Sequence, residues 1–167
     1  VVTIQVVWES AQQLLGDDAV AQAANAALDH GGRSGASLSV VMVDDEEMIR
    51  IHEDYLDDPT PTDVITFDLA EELEDTPASE LPAELATVLA EAPVGELFVG
   101  VEMAERVARE RGVSSARELA LYVVHGVLHL CGFDDVDAVD RAAMRVAENV
   151  VMGRLGYEPD TAPHERG

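Results

Sequence analysis

His125 and His129 stand four residues apart in the segment LYVVHGVLHLCGFDD. On a helix, positions i and i+4 stack on one face, so both imidazoles can reach one metal ion. Gly132 follows three residues after the second histidine, where a glycine can end the helix in a left-handed conformation and turn the chain back. That turn brings Asp134 or Asp135 towards the same metal. Three protein ligands with an open coordination position suit Zn²⁺ acting on water. The helix around the pair is too apolar to solvate two imidazoles, so they need partners. Two other roles stand open for the carboxylates: capping the next helix, or accepting a hydrogen bond from a histidine ligand. A zinc peptidase of the His-Glu-x-x-His type places its general base directly after the first histidine. Here that position is Gly126, which counts against a peptidase.

The elements that must carry this cluster read as one α+β domain over residues 1–157, with a small mixed sheet of about four strands packed against helices and a zincin-like metal helix. Val1 to Trp8 is rich in β-branched residues and reads as a buried strand. Asp17 and Asp18 offer an N-cap for a helix ended by Gly31-Gly32. Ser37 to Val43 reads as a second strand, Val64 to Phe67 as a third and Leu97 to Val101 as a fourth. Asp44 can cap a helix to about Tyr55, with Met48, Ile49, His52 and Leu56 along one side, and Pro59 and Pro61 stop it. Residues 70–94 are acidic, Ala-rich and proline-punctuated, which reads as a surface insertion. Met103 to Arg111 forms a helix closed by Gly112. Ser115-Ala-Arg-Glu118 matches a capping box ahead of the metal helix, which runs through Leu130. Asp137 caps a last helix with Val139, Ala142, Ala143, Val146 and Val150 inward. Residues 158–167 read as a flexible tail.

With 167 residues, 34 Asp+Glu against 10 Lys+Arg (all Arg) and a formal net charge of −24, the chain suits a single domain with a sizeable core. A hydrophobic content of 47% argues against global disorder. No apolar run approaches the roughly 20 residues that span a bilayer. The lone Cys131 excludes an internal disulfide and fits a cytoplasmic location. The charge weighs against passive binding to nucleic acid or to an anionic membrane, and no stable DNA binding is expected.

The run His125-Gly126-x-Leu128-His129-Leu130-x-Gly132-Phe133-Asp134 resembles the signature of the YbeY family of metal-dependent endoribonucleases. Pro61-Thr62-Asp63-Val64-Ile65-Thr66-Phe67 is similar to that family's Pro-Thr-Asp-Val-Leu-Ser-Phe segment. Gly95-Glu96-Leu97-Phe98-Val99 is similar to its Gly-Asp-Ile strand, and Glu118-Leu119 precede the histidines in the family's order. The resemblance implies a compact α+β fold, one Zn²⁺ per chain and single-strand-specific RNase activity. It also implies a role in 16S rRNA 3′ maturation and ribosome quality control, with rRNA, the small subunit and ribosomal proteins as partners. His125 and His129 then become zinc ligands, and Asp135 stands where the family's third ligand is usually His. The catalytic group would be water on the metal. Leu56 occupies the position of a family Arg thought to engage RNA phosphate, so that role does not transfer.

RNA must be reconciled with the charge. From Asp44 to Glu91 there are 17 acidic residues and one basic, Arg50, which reads as a solvated surface. Arg106, Arg109, Arg111 and Arg117 are the only basic concentration, and Arg106 and Arg109 at i,i+3 could contact RNA phosphates together. Pairing with Glu102, Glu105 and Glu110 is the competing role. His52, Thr62 and Asp63 lie near the expected cleft, Met144 and Glu148 could face the site, and Tyr122 and Cys131 read as packing. Two alternatives accompany the endoribonuclease: a zinc metallopeptidase-like hydrolase, and a non-catalytic ribosome-assembly partner with a degenerate site.

Overall fold

The computed structural model describes residues 4–56, 62–68 and 95–157. The chain runs β1 (Ile4–Trp8), α1 (Asp17–His30), β2 (Leu38–Val43), α2 (Asp45–Leu56), β3 (Val64–Asp68), β4 (Gly95–Gly100), α3 (Val101–Arg111), α4 (Ser115–Leu130) and α5 (Ala138–Arg154). The four strands form one mixed sheet in the order β1-β2-β4-β3. β1 and β4 both run parallel to β2, while β3 is antiparallel to β4 at the other edge. The inferred insertion over 70–94 and tail over 158–167 lie outside the described residues. Among the described residues, no helix is long and apolar enough to cross a membrane.

β2 is buried along its whole length, Ser39 included, as its mostly apolar sequence requires of a strand covered on both faces. On one face, Val40, Met42, Leu97 and Val99 join the main core with α1, α3, α4 and α5. On the other, Val41, Val43 and Ile65 pack under Met48 and Ile51 of α2. α4 is therefore sandwiched: Leu119 to Val124, Val127 and Leu128 are all buried. This burial, rather than its polar content, fixes where the two histidines sit.

Several local expectations are revised. β1 is an edge strand with alternating exposure, not a buried one. The cap of α1 is Gly16, because the Asp17 carboxylate instead accepts from Trp8 Nε1 at 2.6 Å. Asp44 likewise accepts from the Ala11 backbone, and the first amide of α2 is met by Glu102 of α3 at 2.8 Å. α4 is capped by Ser114, whose hydroxyl accepts from Arg117 N at 3.1 Å. This shifts the cap by one residue, so Glu118 makes no capping box. It is 1% exposed and accepts two 3.0 Å bonds from Arg111 at the end of α3. Asp137 does cap α5, at 2.8 Å from Asp140 N. The face of α5, however, is reversed. Met144, Ala147, Glu148, Val151 and Met152 are buried, while Val139, Ala142, Ala143, Val146 and Val150 are exposed.

Candidate metal centre

α4 ends directly after the second histidine. Gly132 takes a φ of 100°, with Gly132 N bonded to His129 O and Phe133 N to Leu128 O, each at 3.0 Å. That paired closure with a left-handed residue is a Schellman ending, and an L side chain at Gly132 would be strained. Arg33 adds a 2.8 Å bond to the orphan Leu130 carbonyl. The chain reverses, Asp134 Oδ1 accepts from the Asp135 amide at 2.8 Å, and Asp135 is carried back under the helix.

The result brings the three expected donors together. His125 Nε2 and His129 Nε2 are 3.0 Å apart, and Asp135 Oδ2 lies 3.5 and 3.4 Å from them. Four ligands at 2.0–2.1 Å in a tetrahedron stand roughly 3.3 Å from one another, so this triangle is the right size for one zinc ion. The Asp135 Oδ2 atom is buried and accepts no hydrogen bond within the described residues. A buried anionic oxygen beside two imidazole nitrogens lacks only a cation. These three residues can hold a metal. Asp134 remains exposed and serves the turn.

Glu148, whose role the sequence leaves open, completes the arrangement. Its carboxylate meets His125 Nδ1 in a buried contact between α5 and α4. Holding Nδ1 as the donor leaves Nε2 with its lone pair towards the triad, which is the tautomer a ligand needs. Burial by itself would lower the pKa of His125. Hydrogen bonding to Glu148 and the negative charges of Glu148, Asp63 and Asp135 outweigh it, so the pKa is raised. The Cys131 thiol, next along the chain from Leu130, is pushed up chiefly by burial and packs against the main core, which removes it as a ligand.

Gly126 faces the sheet. A Cβ there would lie 2.7 Å from Leu97 Cδ2 and 3.0 Å from Val64 Cγ2. The position next to the first histidine is thus used for close helix–sheet approach, and a glutamate base has no room in it. Two clefts open on either side of His125. One, of about 340 Å³, is lined by His125 and His129 together with His52, Thr62, Asp63 and Phe67. Asp63 there is buried, and its carboxylate accepts from Val64 N at 2.8 Å and from the Thr62 hydroxyl at 3.2 Å. The other cleft, of about 240 Å³, is lined by His125, Asp135, Glu148 and residues of α5. Arg106 and Arg109 line neither. Arg106 is paired with Asp45 of α2, and Arg109 is exposed near the end of α3. The side chain of Leu56 lies outside what the structure describes.

Fold and site together define a class: an α+β protein whose buried helix presents His-x3-His and whose following turn supplies a carboxylate to the same point. Residues 7–156 match the family model described as Endoribonuclease YbeY, and the chain belongs to that family. Among curated relatives, the endoribonuclease YbeY of Heliobacterium modesticaldum is 35% identical over 72% of this chain and 70% of its own. That of Bacillus licheniformis is 34% identical over 78% and 79%. That of Moorella thermoacetica is 36% identical over 82% and 83%. The solution structure of TM1509 from Thermotoga maritima is similar in fold, with a TM-score of 0.55 at 22% identity, covering 98% of this chain and 99% of that one.

Proposed function

We propose that this chain is a zinc-dependent endoribonuclease that cleaves single-stranded RNA, with His125, His129 and Asp135 as the metal ligands. The observation that carries the reading is the convergence of two imidazole nitrogens and a buried, unbonded carboxylate oxygen within 3.5 Å, in a chain of this family. A zinc ion held there supplies Lewis acidity to a phosphoryl oxygen or to water. Glu148 fixes the His125 ring by accepting its Nδ1 proton, and Gly126 seats the ligand helix against β3 and β4. Clefts on both sides of His125 leave the metal edge open to a strand passing across it. The substrate we assign is the 3′ region of 16S rRNA, within ribosome maturation and quality control in the cytoplasm.

The test is cleavage of a single-stranded oligonucleotide spanning the end of 16S rRNA, with a double-stranded control. Cleavage should be confined to the single strand, disappear on chelation, return with zinc, and be absent from the His129→Ala variant. Undiminished cleavage by His129→Ala would overturn the reading. The zinc peptidase alternative loses ground because Gly126 has no space for that class of base.

A further inference from the structure

We propose that Tyr55, seated on Phe67 at the rim of the 340 Å³ cleft, stacks an unpaired base of the RNA strand beside the metal centre, an inference that rests on the endoribonuclease reading. Met48, Ile51, His52 and Tyr55 of α2 fall at i, i+3, i+4 and i+7, one stripe of the helix. The stripe begins in the core, where Met48 and Ile51 are buried. One turn on, His52 lines the cleft and Tyr55 leaves the core, 68% exposed. Tyr55 is the one aromatic among the exposed large hydrophobic side chains of the described residues. Its ring meets that of Phe67 edge to face, with centroids 5.1 Å apart and planes at 69°. Phe67 is held in turn by Phe98 at 5.8 Å, and both pack on the core under α2. Because Phe67 lines the same cleft as His125 and His129, the row of rings leads from solvent to the cavity that the metal ligands share.

The chemistry of this side selects a base as the occupant. A single exposed aromatic is ordinary on a protein surface. One braced by a second ring in the wall of the metal cleft is a platform. Among the described residues, the lining of that cleft holds no arginine, and its one carboxylate, Asp63, already accepts two hydrogen bonds. Glu53 and Asp54, which precede Tyr55, are exposed. Phosphates therefore gain little here, in a chain of net charge −24. A base offers a neutral π-face instead, and stacking on an aromatic ring accepts any base. Bases of an unpaired strand can be splayed onto such a ring, whereas those of a duplex stay within the helix. The contact thus also supplies a preference for single strands.

The experiment is fluorescence anisotropy with a labelled 2′-O-methyl single-stranded oligoribonucleotide, which binds but cannot use a 2′-hydroxyl. A matched set carries one abasic nucleotide at each position in turn. All are titrated against the zinc-loaded wild type, Tyr55→Ala, Tyr55→Leu and Tyr55→Trp, with thermal unfolding recorded for each protein. Tyr55→Ala and Tyr55→Leu should each weaken binding of the intact strand roughly tenfold, the scale of one stacked base. Tyr55→Trp should keep wild-type affinity. The slope of log K against log salt should be the same in all four proteins, because a neutral ring releases no counterion. One abasic position should cost the wild type the same factor and cost Tyr55→Ala nothing further. Wild-type affinity in Tyr55→Ala or Tyr55→Leu overturns the inference while leaving the endoribonuclease reading in place. So does an abasic penalty as large in Tyr55→Ala as in the wild type at every position. Failure of the wild type to bind the intact strand overturns both.

Discussion

Removing Glu148 is the perturbation whose consequences the structure specifies most closely. The residue is 5% exposed, and its carboxylate meets a His125 ring that is itself 4% exposed. Glu148→Ala therefore leaves Nδ1 as a buried donor without its acceptor, at a cost of about 1–3 kcal/mol in the metal-free protein. In the zinc protein the loss of an outer partner weakens affinity by roughly 10–100-fold, or about 1.4–2.7 kcal/mol. Glu148→Gln retains an acceptor without its charge, so it belongs at the tenfold end. Competition against a chromophoric chelator at pH 7 measures the affinities, and unfolding with and without zinc measures the stability. Zinc affinity in Glu148→Ala within twofold of wild type would refute the argument that α5 orients the His125 ligand.

Three further outcomes follow from neighbouring contacts. Arg111→Met leaves the Glu118 carboxylate buried without its guanidinium, which should cost about 3–5 kcal/mol and lower Tm by roughly 6–20 °C in a scanning measurement. Gly126→Ala gains about 1 kcal/mol of helix propensity but forces a methyl against the fully buried Leu97, at about 1–3 kcal/mol. Chemical denaturation should therefore show a net change between zero and a loss of about 2 kcal/mol, and a stabilised variant would contradict the close approach. In the metal-free protein the His125 pKa is raised above its unfolded 6.5. Its contribution to stability is complete below that value and fades as pH rises through the folded value. Zinc must displace this proton, so apparent affinity should climb with pH over the same window. Calorimetry in buffers of different ionisation enthalpy should detect the released proton at pH 7, and less of it from Glu148→Gln.

The helix that carries the two histidines was legible because its requirements are local: histidines at i and i+4, a glycine where the chain must reverse, and an acid just beyond. The strands were legible for the same reason. Their place in the sheet was not, because a β-branched run reads alike whether its strand lies at the centre or at the edge. In β1, Ile4 is buried while Val7 is 37% exposed. The face of α5 was not legible either. Valines at 139, 146 and 150 make an apolar stripe that competes with the one containing Met144, Ala147 and Met152, and Glu148 marks the latter as polar. It is buried because an imidazole 23 residues earlier shares its charge, a long-range fact. Long-range partners also decide the caps. Asp17, Asp44 and Glu118 are all capable of capping, and each is drawn instead to a donor from another element.

Zinc stoichiometry and affinity, measured side by side for the wild type and Asp135→Ala, test the metal centre most directly. The wild type should bind about one zinc per chain, as a single three-ligand site requires. Asp135→Ala should lose more affinity than the 10–100-fold that an outer partner costs, because a ligand is gone. Equal zinc binding by the two proteins, or a wild type that takes up none and melts identically with and without zinc, would contradict the metal centre.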